Sequence, residues 1–331
     1  MVSDQGNIGL SGTVFRVQCS NQPLHAAILG TYPLARSSGG CAFELLAEVQ
    51  FGQLRVPSHV GDFAHIILRG PDWQSGYLAS PQGGVAVYNV PDAPLVAFFD
   101  RACRQLHLIA YRPNRFHVAT MPVVGSVLNP LIRDALALER KYMLHAAAVM
   151  TASGKGILLI ADNGGGKTTT AMQLTMSGGR FLSDDLVVVE RDPAGHWIAH
   201  AVREDLNLSQ QTVSFFADLA RDWPADRWTG KAKIPIPVSA VFEKQQLQEQ
   251  MHIAMLCRLE LGGPKAVIQP INPADALGSL LRANTFLPDQ IPGADAFADL
   301  ADLGSHCRCV HMQTGNDPHQ FSIDDFESRL T

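Results

Sequence analysis

The stretch LLIADNGGGKTTTAMQL (158–174) sets an apolar run in front of three consecutive glycines and a Lys-Thr pair. A phosphate-binding loop has the pattern Gly-x4-Gly-Lys-Ser/Thr. Gly166, Lys167 and Thr168 supply its end, while Ala161 stands where the first glycine belongs. The physical content survives that change. Asn163, Gly164, Gly165 and Gly166 can turn successive amides inward at the start of a helix, which makes an anion nest. Lys167 would then reach the outer phosphates and Thr168 would offer its hydroxyl to Mg²⁺. The sequence holds no Asn-Lys-x-Asp guanine motif, so ATP is the expected nucleotide.

Asp184 and Asp185 follow in RFLSDDLVVVE, an apolar run interrupted by two acids. Adjacent side chains on a strand point to opposite faces. One carboxylate can therefore face a metal, while the other faces elsewhere or sits on a turned strand end near an acceptor. There it could take the proton of an attacking hydroxyl. The bland reading is a pair of acids closing a strand. His145, taken alone, reads as a satisfied core histidine. Lys231 and Lys233 in TGKAKIPIP, and Arg203, are either contacts to nucleotide or acceptor or plain solvated loop cations. In HCRCVH (306–311), strand alternation would put Cys307, Cys309 and His311 on one face. No second ligand pair at zinc spacing accompanies them, so a half-buried strand is expected there.

The elements that position these residues are legible from period and punctuation. MLHAAAVMTASGKGILLIA reads as two apolar strands about a Ser-Gly-Lys-Gly turn, with His145 on the first. KTTTAMQLTMSGG reads as a helix closed by Gly178-Gly179, and RDPAGH as a turn into the strand WIAHAV. VSFFADLARDW, PADALGSLLRAN and ADAFADLADLG carry helical spacing. Upstream, residues 1 to about 118 are β-rich, with runs such as TVFRVQC, AFELLAEVQF and LHLIAYR between turn residues. They hold no phosphate loop and read as a structural or substrate-docking module. GSVLNPLIRDALALERK (125–141) changes to helical period, with Pro130 expected in its first turn. This helix is expected to join the modules and pack on the second.

The run HAAAVMTASGKGILLIADNGGGKTTTAMQLTMSGGRFLSDD resembles the catalytic core of the HPr kinase/phosphorylase family. That family shows a strand beginning with His, a Gly-x-Gly hairpin, a P-loop and an Asp-Asp pair. The resemblance covers residues 143–190, is weaker over 191–290 and is absent from the N-terminal half. It implies an α/β fold for 119–331, a P-loop kinase core with a mixed sheet and flanking helices, while the β-rich domain before it (1–118) is read from the residues themselves. It implies that Asp162, Asn163, Gly164, Gly165, Gly166, Lys167, Thr168 and Thr169 bind ATP. Thr168 and Asp184 would hold Mg²⁺, and Asp185 would accept the proton of a serine hydroxyl. His145 would sit beside the transferred group and support Asp185 or the γ-phosphate. The EIRG-like segment of members that also dephosphorylate is not found. AVREDLNLS lies in its place, where Glu204 or Asp205 would take the second metal role or the segment is a charged surface turn. Stand-alone relatives of this layout resemble kinases that phosphorylate a serine of a precursor peptide, as in lasso-peptide biosynthesis. The acceptor implied is a serine-bearing peptide or protein, and a homo-oligomer is implied too. A small-molecule kinase and a nucleotide-gated module with slow ATP hydrolysis are the alternatives.

The whole chain sets outer bounds. At 331 residues, two domains are the prior. With 46% hydrophobic and 17% charged residues it reads as globular. Net charge is −5 with no basic stripe, so nucleic-acid binding is not expected. No basic-apolar leader opens the sequence, and no apolar run approaches the roughly 20 residues that cross a bilayer. A cytoplasmic protein without membrane partners is the resulting expectation. The six cysteines do not look like a disulfide framework.

Overall fold

A computed structural model describes residues 4–35, 40–50, 66–69, 74–78, 85–90, 95–111, 121–202, 205–229, 233–284 and 293–330. The chain divides into two units, Met1–Arg140 and Lys141–Thr331. The first comprises β1 (Asp4–Leu10), β2 (Thr13–Cys19), α1 (Gln22–Leu29), β3 (Phe43–Gln50), β4 (Ile66–Arg69), β5 (Gln74–Leu78), β6 (Val85–Val90), β7 (Leu95–Asp100), β8 (Gln105–Tyr111) and α2 (Met121–Leu138). Its strands form one sheet in the order β1-β2-β3-β8-β7-β6-β5-β4. Alternation along β2 sends Phe15, Val17 and Cys19 inward and Arg16 out, and Phe15 stacks on Phe43 with centroids 5.2 Å apart.

The helix read from residues 125–141 starts earlier, at Met121, so Pro130 falls inside it rather than in the first turn, and Pro122 takes the second position. Leu128, Leu131, Ile132 and Ala135 on its apolar face are fully buried. The helix packs on β6, β7, β8 and α1 of the first unit, whereas the sequence reading assigns it to the second. Because the first sheet takes up that face, the chain divides after Arg140 and not after residue 118.

The second unit comprises β9 (Tyr142–Leu144), β10 (Ala147–Met150), β11 (Lys155–Ile160), α3 (Lys167–Met176), β12 (Arg180–Ser183), β13 (Val187–Arg191), β14 (Trp197–Ala201), β15 (Asp205–Leu208), α4 (Gln210–Ser214), α5 (Ala217–Asp222), β16 (Ile234–Pro237), β17 (Gln250–Glu260), β18 (Gly262–Pro270), α6 (Pro273–Asn284), α7 (Gly293–His306), β19 (Arg308–Gly315) and α8 (Ile323–Glu327). The sheet is mixed: β11 runs parallel to β17 and β17 to β19, while β10–β11 and β13–β14 are antiparallel hairpins. From Ile157 onward strand β11 is apolar because both its faces are covered. Ile157 and Leu159 pack toward α3, Leu158 and Ile160 toward α6 and α7. The run VSFFADLARDW, read as one helix, breaks at Phe215–Phe216 into α4 and α5. Cys307 and Cys309 are buried on one sheet face with Leu256 and Leu300, and His311 Nε2 lies 3.0 Å from Glu260. Among the described residues they make no ligand set. No helix is long and apolar enough to cross a membrane.

Candidate active site

Two chain runs lie side by side and bend together. The first is β9 and β10, broken at His145–Ala146; the second is β12 and β13, broken at Asp184–Leu186. Leu144 lies opposite Val187 and Ala148 opposite Ser183, so one antiparallel register carries across both breaks before shifting by one residue between Ala148 and Val149. Each break is a three-residue turn: Ala146 N–H donates to Leu144 O at 3.1 Å, and Leu186 N–H to Asp184 O at 2.8 Å. At the centre of the second turn Asp185 has φ +71°, the value of the rare, strained γ-turn. Such strain costs on the order of 1–3 kcal/mol and persists only where the surroundings hold it. Ser183 supplies part of that hold, its Oγ donating to Leu186 O at 2.6 Å.

His145 therefore sits on a bend and not on a strand, directly beside Asp185. Its Nδ1 is 3.1 Å from Asp185 Oδ1 and 2.9 Å from Asp185 O. A proton on Nδ1 would be donated to these Asp185 oxygens. Nε2 lies 3.1 Å from Asn163 Oδ1, which ties the bend to the glycine loop. Asn284, buried at the end of α6, accepts from His145 N–H and donates to Leu280 O. It positions His145, and no local pattern in the sequence points to it.

The loop from Ala161 to Gly166 leaves β11 and enters α3. Gly164 and Gly166 take φ +77° and +87°, which side chains resist. Gly165 is required for a different reason: a Cβ there would come within 2.6 Å of Ala161 Cβ. The methyl in place of the first glycine is thus accommodated by the missing side chain at 165. Gly166 caps α3 without a side-chain hydrogen bond, so the first-turn amides are free of a side-chain cap.

Lys167 opens α3 and is 7% exposed. Its ammonium donates to Ala161 O at 2.7 Å and more weakly to Asp162 O at 3.3 Å. Burial lowers its pKa, and the nearby carboxylates of Asp185 and Asp184 work the other way. Thr168 Oγ1 lies 2.9 and 3.0 Å from the two oxygens of Asp184. Asp184 is almost fully buried. Burial, then repulsion from Asp185, raises its pKa to about 6, while hydrogen bonds from Thr168 and the Asn207 backbone oppose the rise.

A cleft of about 550 Å³ collects His145, Asn163, Lys167, Thr168, Asp184 and Asp185. Gly164, Gly165, Gly166 and Thr169 line it too, as does the exposed Lys233. Asp162 does not; it lines another pocket of about 330 Å³, which shares Asn163, Gly164 and Gly165 with the cleft. Asn207 and Asn316 join the cleft wall from β15 and the turn after β19, brought there by sheet pairing that no local signal reveals. Glu204, Arg203 and Lys231 lie outside the described residues.

The donor set suits a hard divalent cation. Thr168 and Asp184 offer oxygen ligands of the kind Mg²⁺ takes, and Asp184 is a buried carboxylate whose charge a cation would relieve. The glycine loop and the uncapped start of α3 suit an anion beside it.

No protein-family profile and no curated protein matches the chain. Among solved structures, it is similar to the Hpr(Ser) kinase/phosphatase from Coxiella burnetii, at 12% identity over 39% of this chain and 72% of that one, with a TM-score of 0.27. Likeness at that level carries no argument about what this chain does.

Proposed function

We propose that the second unit is an ATP- and Mg²⁺-dependent kinase that passes the γ-phosphoryl group to a hydroxyl, with a serine of a peptide or protein as acceptor. The observation that carries the reading is the meeting of two groups in one cleft. Lys167 and Thr168 at the start of α3 gather with Asp184, and the Asp185–His145 pair on the two bends lines the same cleft. The first set suits phosphate and metal, and the second suits proton transfer.

In this reading the loop amides and Lys167 bind the phosphates and neutralise the charge that gathers on the leaving diphosphate. Thr168 and Asp184 hold Mg²⁺, which supplies further neutralisation when bound. Asp185 accepts the proton of the acceptor hydroxyl. The freed electron pair of that oxygen forms the new P–O bond, and ADP leaves with the pair of the bond that breaks. His145, donating from Nδ1, orients the Asp185 carboxylate. The choice of serine rests on the resemblance of residues 143–190 and not on the cleft.

The test is transfer of γ-labelled phosphate from ATP with Mg²⁺ into a size-fractionated extract, with Lys167→Ala alongside. Wild-type-only label on peptide or protein, stable to acid and labile to alkali, supports the proposal. Label only in the small-molecule fraction replaces the acceptor with a metabolite. Free phosphate alone, in wild type only, replaces transfer with a nucleotide-gated hydrolytic module.

A further inference from the structure

We propose that Asp192, His196 and His252 form a binding site for a zinc-class transition-metal ion, far from the cleft. Asp192 and His196 flank the β13–β14 turn, and His252 stands near the start of β17. One ligand atom from each lies within 4.8 Å of the others. His196 Nδ1 is 3.3 Å from Asp192 Oδ2. That is long for an N–H···O bond, whose usual distance is about 2.9–3.0 Å. It matches the separation of two ligands on a tetrahedral metal with bonds of about 2.0–2.1 Å, which works out near 3.4 Å. The rings of His196 and His252 stand at 90° with centroids 5.6 Å apart.

The site is preorganised at one corner. Asp192 Oδ1 accepts His196 N–H at 2.8 Å, and the turn closes with Gly195 N–H to Asp192 O at 2.9 Å. Oδ2 is thereby aimed toward the imidazole. Neighbouring cations are engaged elsewhere: Lys155 Nζ donates to Leu330 O, and Arg191 pairs with Asp302. Two imidazoles and one carboxylate suit zinc, nickel or copper, whereas Mg²⁺ prefers an all-oxygen shell. Both histidines are exposed, so a fourth position remains open to water.

Its place assigns it a structural role. His252 is near the start of β17, and the cleft residues Leu261 and Gly262 follow the end of that strand. Eight strand residues at about 3.3 Å each put the two places roughly 26 Å apart. A bound ion would therefore clamp the β13–β14 turn to β17 without touching the chemistry.

The test is Zn²⁺ titration by calorimetry, in excess Mg²⁺, of wild type, His196→Gln, His252→Gln and Asp184→Asn. Wild type and Asp184→Asn should each take up one zinc equivalent that both His variants bind at least about 100-fold more weakly. That equivalent should raise the melting temperature, and Co²⁺ should report it by a tetrahedral visible spectrum. The His side chains are exposed, so both variants should fold as wild type, which circular dichroism checks. Equal zinc uptake in wild type and the His variants overturns the site, and so does loss of the equivalent in Asp184→Asn alone.

Discussion

Replacing Asp184 by Asn gives a test that the buried charge itself sets. The folded protein holds this carboxyl at a pKa of about 6 against an ordinary 3.8, mainly through burial. The gap of about two pH units corresponds to a penalty of about 3 kcal/mol for keeping the group ionised at neutral pH. The sign follows from proton counting. Between pH 4 and 6 the folded state binds the proton that the unfolded state has released, so stability falls as pH rises. Above pH 6 the penalty is complete. Asparagine removes the charge but turns a donor toward the Asn207 backbone amide that Asp184 now accepts from, at a cost of about 1 kcal/mol. Without metal, Asp184→Asn should therefore be more stable by about 2 kcal/mol at pH 8, or roughly 4–8 °C in melting temperature. At pH 4, where the charge penalty has largely gone, the same cost should leave it slightly less stable than wild type. Adding Mg²⁺ should reverse the order, because the cation stabilises only the wild type. Scanning calorimetry at pH 4, 6 and 8, with and without Mg²⁺, reads all of this. A variant less stable than wild type at pH 8 without Mg²⁺, or one that keeps the Mg²⁺ shift, refutes the reasoning.

Other outcomes follow from the same geometry. In wild type, the Mg²⁺-induced rise in melting temperature should shrink as pH falls through about 6, where the Asp184 carboxyl takes up its proton; a rise independent of pH from 5 to 8 would exclude that ligand. Asp185→Asn tolerates a positive φ, so it should lose at least about 100-fold in transfer rate while Mg-ATP still protects the fold. Asp185→Gly should also be inactive but more stable by about 1 kcal/mol as the φ +71° strain is released, measured by urea unfolding. Gly165→Ala should abolish nucleotide-induced protection, since its Cβ meets Ala161 Cβ at 2.6 Å and Asp162 O at 2.9 Å. Adding Ala161→Gly relieves the first contact only, so protection should return in part, and complete rescue would show that the second contact does not matter.

The parts of the site legible in the sequence are those written in neighbouring residues. Glycine punctuation and an unbroken apolar run place the β10–β11 hairpin and α3, because both signals act within a few residues. Asp184 and Asp185 are visible as acids interrupting an apolar run, and the structure resolves the interruption as a turn between two strands. The neighbour of that turn was not legible from the residues alone, and only the resemblance put His145 beside Asp185. His145 reaches Asp185 through pairing of segments some 40 residues apart, and Asn284 reaches His145 from farther still. In α2 the period gave the helix, but period alone does not say which sheet will receive the apolar face.

The shared register of the two bends also predicts where the chain can change length. Leu144 opposite Val187 and Ala148 opposite Ser183 fix how many residues each bend contains. A single insertion or deletion between 145 and 147, or between 184 and 186, would slide one run past the other. Alternation would then turn a whole strand's side chains to the opposite face. The turn from Thr151 to Gly154, at the far end of the β10–β11 hairpin, has no such partner in the cleft. Length variation among proteins with this site should therefore collect at the hairpin tip and avoid the bends, as it would in a mechanism with one adjustable arm and two meshed teeth.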